Sequence, residues 1–341
     1  MAYSINAKDY FNTTLYVGNG SSKTITGIPF PPSLVWIKAR SAAENHVMVD
    51  TARGANNYLM PNTTNGNDTN PEFLKSFTSD GYTLGLGDRV NKASTNLVSW
   101  NWRANGQGSS NTDGSINTTY TSANTTSGCS LITYTGTGSN ATVGHGLGVV
   151  PKMIIVKRLN VTSSWRIYHS SLGNTKNIVL NADATEATSS TMWNNTSPTS
   201  TTFSLGSYDE VNGSSAPHVA YCFANVKGFS KVSSYIGNGS GDGTFNYTGF
   251  KPAFVLGKQL AGGSDWWLFD SARSPSNIAN KLVYPNANAG DATNPVLDLL
   301  SNGFKIRTSA AQFNGNGTTY LYMAFAEEPL VSTNGVPATA R

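Results

Sequence analysis

Charge is scarce in this chain: Asp, Glu, Lys and Arg make up only 12% of 341 residues, and a formal net charge of +4 is spread without a basic run. A nucleic-acid binder gathers its positive charge on one face or stretch, so DNA and RNA are not expected partners. Cysteine is scarcer still. Cys129 and Cys222 lie on what would be the opening and closing strands of one segment. They could be neighbours in space, yet a chain without an export signal is expected to keep them as free buried thiols. Long apolar runs are also missing. The first eleven residues hold no stretch suited to a signal peptide, and no later segment is long enough to span a bilayer, so folding in a cytoplasm without membrane insertion is expected. Fourteen Asn-x-Ser/Thr triplets, among them Asn12, Asn62, Asn124, Asn194 and Asn246, read as accidents of an Asn- and Thr-rich composition.

What the chain does have is one pattern written three times. It runs Tyr16-Val-Gly-Asn-Gly20, Pro32-Ser-Leu-Val-Trp-Ile-Lys38, Val49-Asp-Thr-Ala-Arg53, Asn91 and Val98-Ser-Trp-Asn-Trp102. It returns as Tyr134-Thr-Gly-Thr-Gly138, Pro151-Lys-Met-Ile-Ile-Val-Lys157, Tyr168-His-Ser-Ser-Leu172, Asn212 and Val219-Ala-Tyr-Cys-Phe223, then as Tyr235-Ile-Gly-Asn-Gly239, Pro252-Ala-Phe-Val-Leu-Gly-Lys258, Phe269-Asp-Ser-Ala-Arg273, Asn314 and Leu321-Tyr-Met-Ala-Phe325. The proline precedes Asp50, His169 and Asp270 by 18 residues each time, and the asparagine precedes Trp102, Phe223 and Phe325 by 11. A period of about 100 residues is too long for a solenoid unit and long enough for a small domain.

Each copy has short apolar runs rich in β-branched and aromatic residues, broken by Asn-Gly, Asp-Gly and Gly-rich pairs, which is the punctuation of antiparallel strands. No amphipathic helix pattern stands out. The reading is all-β, with three tandem homologous β-sandwich modules at 15–104, 131–230 and 231–330. An N-terminal arm (1–14), a linker with an extra hairpin (105–130) and a C-terminal tail (331–341) complete the chain. In the first copy strands are expected at about 15–18, 34–39, 47–51, 58–60, 82–86 and 97–102. The Pro-x-x-Val-Trp-Ile-Lys run suits a central strand covered on both sides. Alternation places Trp102, Phe223 and Phe325 in three equivalent cores. The linkers allow either a pseudo-threefold cluster or a staggered linear array.

Candidate sites are few. Asp50 with Arg53 and Asp270 with Arg273 look chemical, but a carboxylate and a guanidinium three residues apart are expected as structural ion pairs fastening a turn. The second copy has His169 and Leu172 instead. His46, His145, His169 and His218 show no metal spacing. His145 reads as a turn residue at the place of Thr26 and Asn246, and Gly237–Gly243 as a hairpin turn and not a phosphate loop. Trp193, with Asn194 and Asn195, is a candidate glycan or partner contact, since an aromatic face takes sugar C–H groups while amides take hydroxyls. The competing reading has Trp193 plugging a gap against a neighbour. No catalytic set, metal site or cofactor site is expected.

Tyr-x-Gly-Asn-Gly, Pro-x-x-Val-x-Ile-Lys, Asp-x-x-Arg-Gly, Ser-Asp-Gly-Tyr with its Ser-Asn-Gly-Phe304 variant, and Ala-Phe-Ala-Glu-x-Pro329 together resemble the repeated β-modules of virion and tail-fibre-like proteins of marine tailed bacteriophages, including cyanophages. The resemblance covers nearly the whole chain and departs from the pattern at Asp-x-x-Arg in the second copy. It implies a non-enzymatic virion component: an exterior appendage of tail-fibre or spike type that contacts host surface glycans, present in several copies or as a homo-oligomer among other virion proteins. The alternatives are a head decoration or head fibre, favoured by a chain that starts directly on the module, and a glycan-degrading enzyme, disfavoured because no paired carboxylates stand out.

Overall fold

A computed structural model describes residues 6–326. It is all-β, with 42% of residues in strands and 5% in helices. Arm residues 1–5 and the tail 331–341 lie outside the described residues.

One strand order recurs in three large antiparallel sheets. In the first, Phe11–Val17, Asn96–Trp102, Leu34–Ala39 and Val47–Asp50 lie side by side. In the second the same places are taken by Cys129–Thr135, Pro217–Phe223, Met153–Arg158 and Arg166–His169, and in the third by Ser230–Ile236, Thr319–Ala326, Pro252–Gln259 and Trp267–Asp270. Register agrees to the residue. Leu34, Met153 and Phe254 stand opposite Asp50, His169 and Asp270 on one side and opposite Trp102, Phe223 and Phe325 on the other. The repeated 18- and 11-residue steps of the sequence thus bring equivalent residues to equivalent places in the three sheets.

A smaller antiparallel sheet accompanies each large one: Lys23–Ile25 with Gly81–Leu84 and Leu74–Thr78, Ala141–Gly144 with Thr202–Leu205, and Phe245–Tyr247 with Gly303–Ile306, Ala292–Leu300 and Ala279–Leu282. Between large and small sheets lie apolar clusters. Val35, Ile37, Val49, Tyr82 and Leu84 form one in the first repeat, and Ile154, Val156, Cys222, Val143 and Phe203 another in the second.

The opposite faces of the three large sheets meet each other. Trp102, Phe223 and Phe325 do not occupy three separate cores as expected; they form a triangle in one shared core, with ring centroids 6.2, 5.7 and 5.8 Å apart. Each large sheet is therefore buried on both faces, which is why all six residues of Leu34–Ala39 and all eight of Pro252–Gln259 are buried. These contacts join all three repeats pairwise, so the chain closes on itself and is not a linear array.

Other differences from the expectation have local causes. The opening strand begins at Phe11, inside the arm, because Phe11 pairs with Trp102 and its ring stacks on Phe325 at 5.2 Å. The polar run Asn12-Thr13-Thr14 hid it. An extra strand does lie in the linker, at Tyr120–Asn124, and it covers the edge of the second large sheet by pairing with Cys129–Thr135. Single-turn helices at Asp88–Asn91, Asp209–Asn212 and Ala311–Asn314 are too short to leave a periodic signal. Cys129 pairs with Phe223 and therefore shares its face, while Cys222 points to the other side of the sheet. Both are free and buried, and burial pushes the Cys129 thiol up to about 12.

Candidate functional site

The repeated polar residues are occupied in holding loops and seams. Each helical turn ends on the repeated asparagine, which clasps the Gly-x-Gly loop. Asn91 accepts the Asn19 N–H at 3.0 Å and donates to Gly85 O at 2.8 Å. Asn212 accepts the Thr137 N–H at 2.8 Å and donates to Ser139 O at 2.6 Å. Asn314 accepts the Asn238 N–H at 3.0 Å and donates to Ser240 O at 2.7 Å. The tyrosine that opens each motif completes the clasp, with Tyr16, Tyr134 and Tyr235 donating to Val90 O, Val211 O and Phe313 O at 2.8, 2.6 and 2.6 Å. Glycine at 18, 136 and 237 is required by close approach: a Cβ there would lie 2.1, 2.4 and 2.4 Å from a carbonyl oxygen. Gly237–Gly243 is accordingly a clamped turn.

A second set of residues closes the ring. Arg53 binds Asp50 at 2.6 Å and Arg273 binds Asp270 at 2.5 Å, as the spacing suggested. Their carboxylates also reach across a seam that the spacing could not reveal. Asp50 accepts the Tyr221 hydroxyl at 2.8 Å, joining the first repeat to the second. Asp270 accepts Trp100 Nε1–H at 3.0 Å, joining the third to the first. At the remaining seam His169 replaces the acid, with Nε2 3.5 Å from Tyr322 O and Nδ1 accepting the Ser171 N–H. Burial lowers its pKa to about 4, so it is neutral. Burial alone would also lower the Arg53 pKa, but Asp50 and Tyr221 raise it.

The lysine next to the end of each central strand makes a third connection around the ring. Lys38, Lys157 and Lys258 are fully buried. Each donates to a backbone carbonyl of the preceding repeat in the ring: Asn288 O at 3.1 Å, Thr64 O at 3.3 Å and Asp183 O at 2.9 Å. Burial lowers all three to about 8. These lysines stand in the repeated motif, but nothing local to it shows a partner in another repeat. A lysine fixed at one position after three otherwise apolar runs was the available signal.

The candidate contact at Trp193 is corrected by its burial. Only 1% of Trp193 is exposed. Its Nε1 donates to Lys176 O at 3.1 Å and its ring packs edge-on against Tyr168, so it plugs the second repeat's own core and offers no face to a sugar. Asn194 and Asn195 turn the chain beside it with positive φ. His145 is buried, with Nδ1 accepting the Leu147 N–H and Nε2 3.2 Å from Thr199 O. The residue equivalent to Asn246 in the second repeat is Val143 and not His145, since Val143 pairs with Phe203 as Asn246 pairs with Phe304. Among the described residues no cluster of His, Cys, Asp and Glu could hold a metal ion.

Side chains not absorbed by the ring are found where the repeats differ. Phe245 and Tyr247, 44% and 65% exposed, are the only aromatics of the exposed class among the described residues. They flank buried Asn246 on one strand and so share the outward face of the third small sheet. At their places the first repeat has Thr24 and Thr26, and the second has Thr142 and Gly144. Copy-to-copy comparison would have found the pair only once the register of this weak strand was known.

One family matches residues 6–329, described as a domain of unknown function, DUF7483, and the chain belongs to it. The match takes in all three repeats together. No curated protein matches the chain.

Proposed function

We propose that this DUF7483 chain is a set of three homologous β-sandwich modules closed into a pseudo-threefold ring, acting as a non-enzymatic structural protein on the exterior of a tailed-phage virion. The observation that carries the reading is the use made of the repeated polar residues. Asp50, His169, Asp270 and the three buried lysines all fasten one repeat to the next, and Arg53 and Arg273 hold the two carboxylates in place. A side chain locked between modules with its hydrogen bonds filled serves rigidity. The resemblance of the repeated motifs to phage virion modules supplies the setting, with other virion proteins as neighbours and several copies on each particle.

Within that setting an appendage of tail-fibre or spike type is the primary reading. A head decoration is the second, favoured by the closing of the three sheets around one shared core. Gold-labelled antibody against the purified chain, applied to intact particles, tests both. Label on tail or head selects between them, and particles that carry no label refute the virion assignment.

A further inference from the structure

The third small sheet carries a feature that the fold does not need. The first and second repeats build the same strand pair with threonine or glycine where the third has Phe245 and Tyr247. Leaving large apolar side chains in water forfeits about 1.5–3 kcal/mol each relative to burial. The two residues are separated by one position on a strand, so their Cα atoms are roughly 7 Å apart on one face. Each ring has a glycine beside it. A Cβ on Gly303, the residue opposite Tyr247, would come 3.1 Å from Phe245 Cε2, and one on Gly249 would come 3.4 Å from the Tyr247 hydroxyl. At Gly303 the Asn246 carbonyl, 2.1 Å from such a Cβ, already requires glycine, and the Phe245 ring rests beside the space this leaves.

Ionic groups beside the rings cancel. Lys305, opposite Phe245, pairs with Asp242 at 2.5 Å. Arg307 lies 3.6 Å from Asp242 and 3.5 Å from Asp298. Two cations and two carboxylates give the patch no net charge while leaving donors and acceptors at its border; the Asp242 side chain is 77% exposed. A polyanion gains nothing from such a surface. A protein partner would need about 800 Å² of contact, more than two rings amid paired charges provide. A neutral ligand with apolar ring faces and hydroxyl edges is complementary to it: the C–H faces stack on the aromatic rings, and the hydroxyls bond to carboxylate and guanidinium.

We propose that this face is a binding site for a neutral saccharide chain, with Phe245 and Tyr247 as the stacking platform and Asp242, Lys305 and Arg307 as hydroxyl partners. The site deepens the reading of the chain as an exterior protein, but its test needs no virion, so either can fail alone. The experiment is affinity electrophoresis of the full chain through native gels containing dextran, a β-glucan, a galactan or a mannan. Wild type is expected to be retarded by at least one of them. Phe245→Ala and Tyr247→Ala should each weaken binding roughly tenfold, Tyr247→Phe should keep most of it, and Thr24→Ala, at the corresponding place in the first repeat, should change nothing. Unchanged melting of the exposed-site variants excludes unfolding as the cause. Retardation by none of the four polysaccharides, or equal retardation of wild type and the doubly substituted chain, overturns the proposal.

Discussion

Replacing Phe223 with alanine removes one corner of the aromatic triangle at the centre of the ring. The side chain is 3% exposed and contacts the rings of Trp102 and Phe325, each supplied by a different repeat. Truncating a buried phenylalanine costs about 3–5 kcal/mol, and the upper half of that range is expected here. The cavity walls belong to three separately hydrogen-bonded sheets, so no one sheet can collapse into the space without shearing its contacts to the other two. The two lost ring contacts add about 0.5–1.5 kcal/mol each to simple burial and are part of that total. Urea unfolding followed by tryptophan fluorescence is a suitable assay because every repeat carries reporters: Trp36, Trp100 and Trp102, then Trp165 and Trp193, then Trp266 and Trp267. The expected result is one transition, shifted as a whole, since the cavity loosens all three repeats. A change below about 1 kcal/mol, or a split transition with two repeats at parental stability, would refute the shared core.

Asp50→Ala should cost about 3–5 kcal/mol, because it strands a buried guanidinium; a double-mutant cycle with Tyr221→Phe should show coupling of at least about 0.5 kcal/mol across the seam, and strict additivity would deny it. On the acid side, burial holds His169 and His218 at about 4 against an ordinary 6.5, so between these values the unfolded chain binds more protons and stability falls as pH drops. Each histidine contributes about 3 kcal/mol to that loss, and buried His46 and His145, also lowered, act in the same direction; a urea midpoint flat from pH 7 to 4 would contradict this. On the alkaline side, the seam lysines at about 8 release protons in the folded state before the unfolded chain does at about 10.5, so stability should rise from pH 8 until buried tyrosines such as Tyr82, held above their ordinary value, reverse the trend. Trp193→Ala should destabilise by about 3–5 kcal/mol and leave the polysaccharide gel shift of the remaining folded protein unchanged; loss of binding without loss of stability would return Trp193 to the surface role.

The sequence alone determined that the chain is β and threefold repetitive. Strand period and turn chemistry are local, and a register that must place the same residue on the same level three times leaves fixed spacings, as it did from Pro32 to Asp50 and from Asn91 to Trp102. The Asp-x-x-Arg pairs were legible for the same reason, since both partners sit on one turn. What covers a face was not legible. Alternation says that Trp102 and Phe223 point away from their neighbours Asn101 and Cys222, but a private core and a shared one ask for the same apolar residue. Only tertiary structure placed Asp50 beside Tyr221, 171 residues away, and Lys38 beneath Asn288. It also decided which aromatics meet solvent: Trp193, in a divergent polar loop whose sequence allowed a surface contact or a plugged gap, is folded inward, while Phe245 and Tyr247, in a three-residue strand too short to read, face the solvent. Burial is set by which surfaces meet, and that depends on all three repeats at once.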